Sequence, residues 1–423
     1  MASSGESGRE ALDAFAERTA TAVLLQQDRS TRSWIHRASR PSTLESYAAF
    51  VQGLRVVPMM PQPEHRMKEY FVTAARDSGF TLAVAFAALA RGLDDERAAG
   101  DSILDALRAR TLPPLDAAFV EWAIAFLADN SVVEYRGARA VSEAAPNTEW
   151  SFLQARAAIN VGRPREALRV LDALGPDSGW TRGSDAYWLQ RDRALHYLGE
   201  YEREVREMEE AQRRFPEFRL FIQSRVKGLA ALGREREVNE EIDRAFTLTT
   251  TSEMAVQPMS QAVDELVSHG HDAAANRLAE RLLDWLHRQP PAVQQQRVIF
   301  RVDLLMQLGR FREAREAALG VAAKDPIDVY HAAQLSVAYA DAALGDLSTA
   351  RRIAARADAQ QWLNTLYRAD MLALLGDSAG AVALLRDAFR ENGDIRPIVH
   401  LYYGLRQLRG YAPYDQLLRP DDW

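Results

Sequence analysis

The sequence predicts an all-α fold, a right-handed α-solenoid of about ten helical hairpins. Hydrophobic residues make up 47% of the chain, alanine and leucine are abundant, and long β-branched runs are few. That composition favours helices. Two amphipathic segments meet at a glycine within residues 301–326. Glycine turns of the same kind recur along the chain at a nearly regular interval, which is typical of a repeat architecture.

Residues 301–326, RVDLLMQLGRFREAREAALGVAAKDP, show every signal of a helical hairpin. Three leucines share one face of a first helix, and Gly309 suits the left-handed conformation that ends a helix. Apolar residues at helical spacing from Phe311 to Val321 predict a second helix. Pro326 ends that helix, since proline disfavours helical geometry in the residue before it. This hairpin is the reference for the rest of the chain.

The N-terminal part has weaker signals than the middle. Residues 1–10 are mostly small and polar and predict a disordered leader or linker. Residues 11–40 predict a capping helix and loop. The solenoid then covers residues 41–395, beginning with a helix at 43–55 that a capping box precedes. Residues 396–423, with apolar and aromatic side chains near the end, predict a C-terminal cap.

The hairpin pattern becomes explicit towards the middle of the chain. Two hairpins are predicted at about 80–110 and 114–145, and the second begins at Pro113-Pro114 and ends at Pro146. Beyond them, seven glycine turns are separated by 37, 34, 37, 39, 36 and 31 residues, close to the roughly 34-residue period of one helical repeat class. These turns contain Gly162, Gly199, Gly233, Gly270, Gly309, Gly345 and Gly376.

Composition excludes several classes of function. The net charge is −7 with a pI of about 5.7, so no global positive field draws the protein to nucleic acid or anionic lipid. The chain has no cysteine, which excludes disulfides and thiolate metal sites. No apolar run has the length of a membrane helix, and the N-terminus lacks the apolar core of a signal peptide. We expect a cytoplasmic protein, or an extracytoplasmic one if a membrane helix precedes it in a parent polypeptide.

Six segments together carry a resemblance to a known family. They are PSTLESYAAFVQGL, FVTAARDSGFTLAVAF, NTEWSFLQARAAINVGRPREALRVLDAL, GWTRGSDAYW, LGEYEREV and RGYAPYDQLLRP. They resemble the tetratricopeptide (TPR) repeat proteins, in particular the C-terminal TPR region of bacterial serine/threonine kinases and winged-helix transcriptional regulators. The resemblance implies a scaffold that binds protein or peptide in a concave groove, as part of signalling or transcriptional regulation, and it implies no catalytic residues.

The nucleotide-binding motifs GxxxxGK[ST] and GxGxxG and the metalloprotease motif HExxH are absent from the sequence. Residues 376–380, GDSAG, match GxSxG, but they lie at a predicted turn between helices and not at the strand-to-helix elbow that this motif needs. The triplet His269-Gly270-His271 falls at a turn between helices, and we interpret it as solvated because a metal site needs three or four converging ligands. We therefore predict no metal, no cofactor and no catalytic residue. The tryptophans, among them Trp150, Trp188 and Trp362, predict packing more than stacking platforms for bases or sugars.

Alignment of the hairpins on their turn glycines predicts the groove surface. In the TPR fold the first helices line the groove, and the residue six positions before the glycine faces it. That position is basic in the first three aligned hairpins and mostly acidic in the last four. His196 and Met306 occupy the neighbouring groove position, three before the glycine. The series, here called the charge ladder, is Arg156, Arg193, Lys227, Asp264, Asp303, Tyr339 and Asp370.

The sequence favours a non-catalytic scaffold or docking module that binds another protein, or another region of its own polypeptide, along this ladder. Ordinary solvated helix charges would explain the same pattern. One alternative is a small-ligand sensor region that controls an attached kinase or DNA-binding domain. Another is self-assembly by end-to-end stacking. A further alternative is an enzyme that uses Asp192, Arg193 and His196, which requires a pocket joining His196 to a carboxylate.

Overall fold

The computed structural model describes residues 4–28, 31–56, 64–94, 96–128, 130–216, 218–248, 252–322, 332–355, 362–391 and 393–422. Within these ranges the regular secondary structure is helical, without a β-strand. No helix there is long and apolar enough to cross a membrane. The chain divides into two compact units, here called unit 1 and unit 2, with the boundary between Ala194 and Leu195. Asp421 and Asp422 belong to unit 1.

Unit 1 consists mainly of helical hairpins, as predicted. The helix predicted at 43–55 is present, and the two hairpins predicted at about 80–110 and 114–145 are also present. Each helix packs on the next one along the chain, both within a hairpin and between neighbouring hairpins, because each hairpin has an apolar face that its neighbour must cover. The helices are α1 (Ser4–Gln27), α2 (Leu44–Val56), α3 (Glu64–Ala74), α4 (Thr81–Leu93), α5 (Arg97–Arg108), α6 (Pro114–Leu127), α7 (Ser131–Ala144), α8 (Ser151–Asn160) and α9 (Pro164–Leu174).

Unit 2 continues the pattern after α10 (Asp185–Tyr197), the helix that contains the boundary. Its last hairpin is followed by two 3₁₀ helices, Gly393–Leu401 and Leu405–Leu408. Its other helices are α11 (Tyr201–Arg214), α12 (Leu220–Ala231), α13 (Glu235–Leu248), α14 (Ser252–Ser268), α15 (Asp272–His287), α16 (Pro291–Gln296), α17 (Val298–Gln307), α18 (Phe311–Ala322), α19 (Ala332–Ala343), α20 (Ser348–Ala354), α21 (Trp362–Leu374), α22 (Ser378–Glu391) and α23 (Ala412–Leu417).

The seven predicted glycine turns share one backbone geometry. Each of these glycines has a positive φ, between 68° and 94°. In the reference hairpin, Gly309 N donates to Met306 O at 3.1 Å and Arg310 N donates to Leu305 O at 2.9 Å. This pair of bonds is the Schellman motif, which satisfies carbonyls left open at a helix end. The motif recurs at the other six turns. The predicted end of α18 at Pro326 lies outside the described residues.

The N-terminal region differs in part from its prediction. Helix α1 begins at Ser4, so most of the predicted disordered leader is helical. Trp34, in the loop after α1, is fully buried. Its ring packs edge-on against the ring of Trp150, with the ring centroids 5.2 Å apart. The indole of Trp34 donates to Glu149 Oε1 at 2.7 Å. A buried aromatic side chain with a satisfied polar atom holds this loop against the first hairpins.

Replacement by alanine should have opposite effects on stability at two glycines of the reference hairpin. Gly309→Ala places a Cβ in the left-handed region, and we expect it to lower the free energy of unfolding by about 1–2 kcal/mol. Gly320→Ala lies within α18, where alanine is the better helix former, and we expect a gain of about 0.5–1 kcal/mol. An added Cβ meets only Phe311, at 4.0 Å, in the first case and nothing within 4 Å in the second. Backbone conformation is therefore the variable tested.

Urea unfolding followed by circular dichroism measures both variants against the parent protein. The matched pair controls for a general effect of adding a methyl group to this hairpin. A change of the same sign in both variants would contradict the left-handed turn at Gly309.

Candidate functional site

A cavity of about 260 Å³, here called the aromatic pocket, lies within unit 1. Its walls come largely from the first helices of the hairpins, α2, α4, α6, α8 and α10, which is the face on which the sequence places a binding groove. An engineered apolar cavity of about 150 Å³ holds a benzene ring, so the aromatic pocket has room for an aromatic ring with further atoms attached. Its aromatic lining residues are Phe86, Phe119, Trp122, Phe126, Trp150 and Phe152.

The first two residues of the charge ladder line this pocket. Arg156 donates to Glu134 Oε1 at 2.6 Å, and its guanidinium carbon lies 4.8 Å from the ring centroid of Phe126. Arg193 donates to Gln190 Oε1 and to Asn160 Oδ1, each at 3.0 Å. Burial and the neighbouring Arg156 guanidinium together lower the pKa of Arg193 to about 10. Arg193 therefore remains charged at neutral pH.

The pocket also contains hydrogen-bond donors that the described residues leave without a partner. Trp122 Nε1 is buried and has no acceptor among these residues, and the same holds for Arg156 Nε. A buried donor without an acceptor costs about 1–3 kcal/mol. Arg156 Nε belongs to one of the two guanidinium groups, and Trp122 Nε1 adds a further N–H donor. Together they make the polar part of the pocket complementary to an acceptor that carries negative charge.

Asp264, in the acidic part of the ladder in unit 2, already has a partner from the same chain. Arg406, from the 3₁₀ helix Leu405–Leu408, donates to Asp264 Oδ1 at 2.7 Å. Both residues line a cavity of about 170 Å³ with Asp303 and Met306. The protein atoms around Asp303 raise the pKa of its carboxyl group, and the nearby Asp264 carboxylate also raises it. The Asp303 side chain nevertheless remains exposed to solvent.

The burial of Asp370 contradicts the prediction that every residue of the charge ladder faces an open groove. Its side chain is 0% exposed, so it presents no charge to an external ligand. It accepts hydrogen bonds from Leu405 N at 2.9 Å and from Tyr339 Oη. A Cβ on Gly404 would lie 2.2 Å from the Asp370 carbonyl oxygen, so the absence of a side chain permits this approach. Asp370 and Tyr339 therefore hold the C-terminal segment, which Tyr414 also joins to the core of the last hairpin.

His196, the remaining predicted groove residue of α10, is buried in a cluster of charged side chains within unit 2. Its Nδ1 lies 2.9 Å from Glu204 Oε2, and its Nε2 lies 3.3 Å from Glu265 Oε1. Burial lowers the pKa of His196, but the Glu204 and Glu265 carboxylates outweigh it and raise the pKa to about 9. The Lys227 ammonium of the ladder lies 3.6 Å from Glu204 Oε1.

The histidine triplet at the turn after α14 is not solvated as expected. His269 is partly buried, and its Nε2 lies 3.3 Å from Glu265 Oε2 and 3.3 Å from Tyr201 Oη. His271 Nε2 lies 3.3 Å from Ala231 O. His400, from the 3₁₀ helix Gly393–Leu401, approaches the same Glu265 with its Nε2 at 3.4 Å. These histidines contribute to the interior of unit 2.

Packing explains the tryptophans whose side chains are described. Trp150 is 0% exposed and Trp188 is 7% exposed, in agreement with the packing interpretation. The side chain of Trp362 lies outside the described residues. Trp122, which sequence analysis does not single out, contributes more directly to the candidate site through the aromatic pocket.

Several residues that contact the candidate sites were not predicted, because they do not lie on the first helices that the alignment compares. Glu134 and Glu204 lie on second helices, and Arg406 and His400 follow the last hairpin. Charge alone marks these residues weakly. The spacing of Trp122 and Phe126, four residues apart on α6, indicates a shared helix face, which could have drawn attention to the pocket.

No protein-family model and no curated protein matches the sequence. Among solved structures, the human IFIT1 dimer with PPP-AAAA is similar at 11% sequence identity, over 88% of this chain and 99% of that one. The TM-score is 0.30, so this likeness carries no argument about fold or function. The helical-repeat architecture rests on the hairpins and turns of this chain itself.

Proposed function

We propose that this chain is a non-catalytic helical-repeat recognition module that binds the C-terminal residue of a partner polypeptide in the aromatic pocket. One observation carries the proposal: two guanidinium groups and unpartnered donors lie beside an apolar, aromatic cavity. Aromatic walls take up a large apolar side chain, and Arg156 and Arg193 take up a carboxylate. The pocket is thus complementary to an apolar group that bears a negative charge close by.

A peptide C-terminus supplies both features from one residue. Its carboxylate and its side chain branch from the same Cα, which matches polar and apolar walls that meet within one pocket. An internal acidic residue places its charge at the end of its own side chain and separates it from any apolar group. The resemblance to bacterial regulators favours a partner in a regulatory protein, or another part of the same polypeptide.

Short peptides test this proposal directly. We expect a peptide that ends in phenylalanine with a free carboxylate to bind the full chain. Its C-terminal amide should bind at least 10-fold more weakly, because charge-assisted hydrogen bonds contribute about 1.5–3 kcal/mol. A peptide that ends in alanine should lose a similar factor through the loss of buried apolar surface. Isothermal titration calorimetry measures all three affinities.

The same titration distinguishes the peptide from a small ligand. In the sensor hypothesis, a free acid such as 3-phenylpropanoate supplies the aromatic ring and the carboxylate without a peptide chain. If it binds as tightly as the phenylalanine peptide, the pocket is a small-ligand site and the peptide proposal is wrong. Equal affinity for the free-acid and amide peptides also contradicts the proposed role of the two arginines.

A further inference from the structure

Three side chains that are far apart in sequence converge within unit 2. They are His196 near the end of α10, Glu265 on α14 and His400 on the 3₁₀ helix Gly393–Leu401. One nitrogen or oxygen from each lies within 4.8 Å of the others. Two imidazoles and a carboxylate are the donor set of several zinc sites with three protein ligands. Neither the sequence motifs nor the proposed peptide site accounts for this cluster.

The distances inside the cluster suit a metal ion. Glu265 Oε1 lies 3.3 Å from His196 Nε2, and Glu265 Oε2 lies 3.4 Å from His400 Nε2. Ligands at about 2.0–2.2 Å from a tetrahedral zinc ion are separated from one another by about 3.3–3.6 Å. These two distances end on different oxygens of Glu265, and one ligand atom from each residue lies within 4.8 Å of the others. The three side chains need to move closer together for one atom of each to reach a single ion.

The surroundings of the cluster support the same assignment. Glu204 lies 2.9 Å from Nδ1 of His196, on the ring atom opposite the proposed ligand. A carboxylate in that position commonly orients a metal-binding histidine and fixes its tautomer. His400 is placed by its own backbone, since Ser268 Oγ donates to His400 O at 3.1 Å. Two of the three side chains are buried, so a bound ion would be largely shielded from solvent.

The charges of the cluster are also consistent with a cation. Glu204 and Glu265 are 0% and 2% exposed, and buried carboxylates require compensating positive charge. Lys227 Nζ lies 3.6 Å from Glu204 Oε1 and supplies part of that charge. A divalent cation at the cluster would supply more.

We propose that His196, Glu265 and His400 form a Zn²⁺ site. The bound ion joins the 3₁₀ helix Gly393–Leu401 to α10 and α14. His196 and His400 also line a cavity of about 210 Å³. Water in this cavity would supply a fourth, oxygen ligand. The site is independent of the aromatic pocket, which lies in unit 1.

Zinc titration of the chelator-treated full chain tests the site. We expect one equivalent of Zn²⁺ to bind in competition with a chromogenic chelator and to raise the thermal unfolding temperature. Substitution of Co²⁺ should give the visible absorption bands of a four-coordinate ion. His400→Ala and Glu265→Gln should each weaken Zn²⁺ binding at least 100-fold. His287→Ala, an exposed histidine of α15, is the matched control and should leave the affinity unchanged.

Two results would overturn the site. One is a wild-type chain that binds no Zn²⁺ at one equivalent. The other is unchanged affinity in His400→Ala, whose folding is checked by circular dichroism and which removes a ligand from outside the hairpins. Loss of affinity in Glu265→Gln alone, with His400→Ala unaffected, also counts against the proposed ligand set.

Discussion

Arg156→Gln combined with Arg193→Gln lowers the affinity for a peptide with a free C-terminal carboxylate about 100-fold or more. Each guanidinium group offers a charge-assisted hydrogen bond to the carboxylate, and one such bond contributes about 1.5–3 kcal/mol. Glutamine keeps a polar side chain, although a shorter one, and removes the charge at each position. Calorimetric titration with the phenylalanine peptide measures the loss. We expect Arg193→Gln alone to account for about 10-fold of it.

The amide form of the same peptide provides the decisive comparison. The double variant should bind the amide about as weakly as the wild type does, because the carboxylate interaction is already missing. Arg139→Gln, on the exposed side of α7, is a control outside the pocket and should change neither affinity. Arg193→Gln leaves the Arg156–Glu134 ion pair intact, so it separates binding from stability. If the double variant binds both peptides like the wild type, the pocket does not recognise the carboxylate.

Asp370→Ala destabilises the last hairpin and the C-terminal segment of unit 2 by about 3–5 kcal/mol. The substitution removes the acceptor for Leu405 N–H and Tyr339 O–H. Each buried donor left without a partner costs about 1–3 kcal/mol. The small side chain also leaves a cavity where Asp370 is fully buried. Hydrogen exchange of the amides at residues 402–408 should increase first, and urea unfolding measures the loss of free energy.

Ionisation of Asp370 makes part of this stability depend on pH. Burial raises the pKa of Asp370 to about 6 from its ordinary value of 3.8. The folded state therefore holds a proton between these values that the unfolded state has released. The stability contribution is fully present below about pH 4 and is lost as pH rises through about 6. A shift of about two units corresponds to about 3 kcal/mol.

Asp370→Asn isolates this effect. Asparagine retains an acceptor for Leu405 N–H and a donor for the Tyr339 oxygen, but it does not titrate. We expect the stability of the wild type relative to this variant to decrease between pH 4 and pH 7. Asp387→Ala, on the exposed surface of α22, is the matched control, with a change below about 0.5 kcal/mol. A pH-independent difference between the wild type and Asp370→Asn would contradict the raised pKa.

Local signals account for the part of the fold that sequence analysis predicted correctly. A left-handed turn such as that at Gly309 depends on a few residues and their own hydrogen bonds, so it can be recognised from composition and spacing. The apolar period of each helix is equally local. The prediction of a disordered leader was wrong. Small polar residues predict disorder by composition, whereas Ser4 begins a helix in the structure.

For the candidate site, too, the sequence predicted some residues but not the long-range contacts that they make. The repeat alignment selected Arg156 and Arg193, because side chains at equivalent positions of stacked hairpins share one face. It also selected Asp264, Tyr339 and Asp370, but it could not show that the chain covers them itself. Asp264 meets Arg406, which lies 142 residues further along the chain. Such a pairing has no signature in the spacing of either residue.

The sequence by itself determined the helical hairpins, their glycine turns and the sign of each charge on the aligned face, since these depend on residues within one repeat. The tertiary structure decided which of those charges remain available to a partner. Arg156 and Arg193 line an open pocket because the aromatic side chains of several hairpins meet beside them. Asp264 and Asp370 are occupied because the C-terminal segment returns to α14 and α21. Whether a charged side chain can bind a partner depends on which distant segments pack against it, so this is decided only in the folded chain.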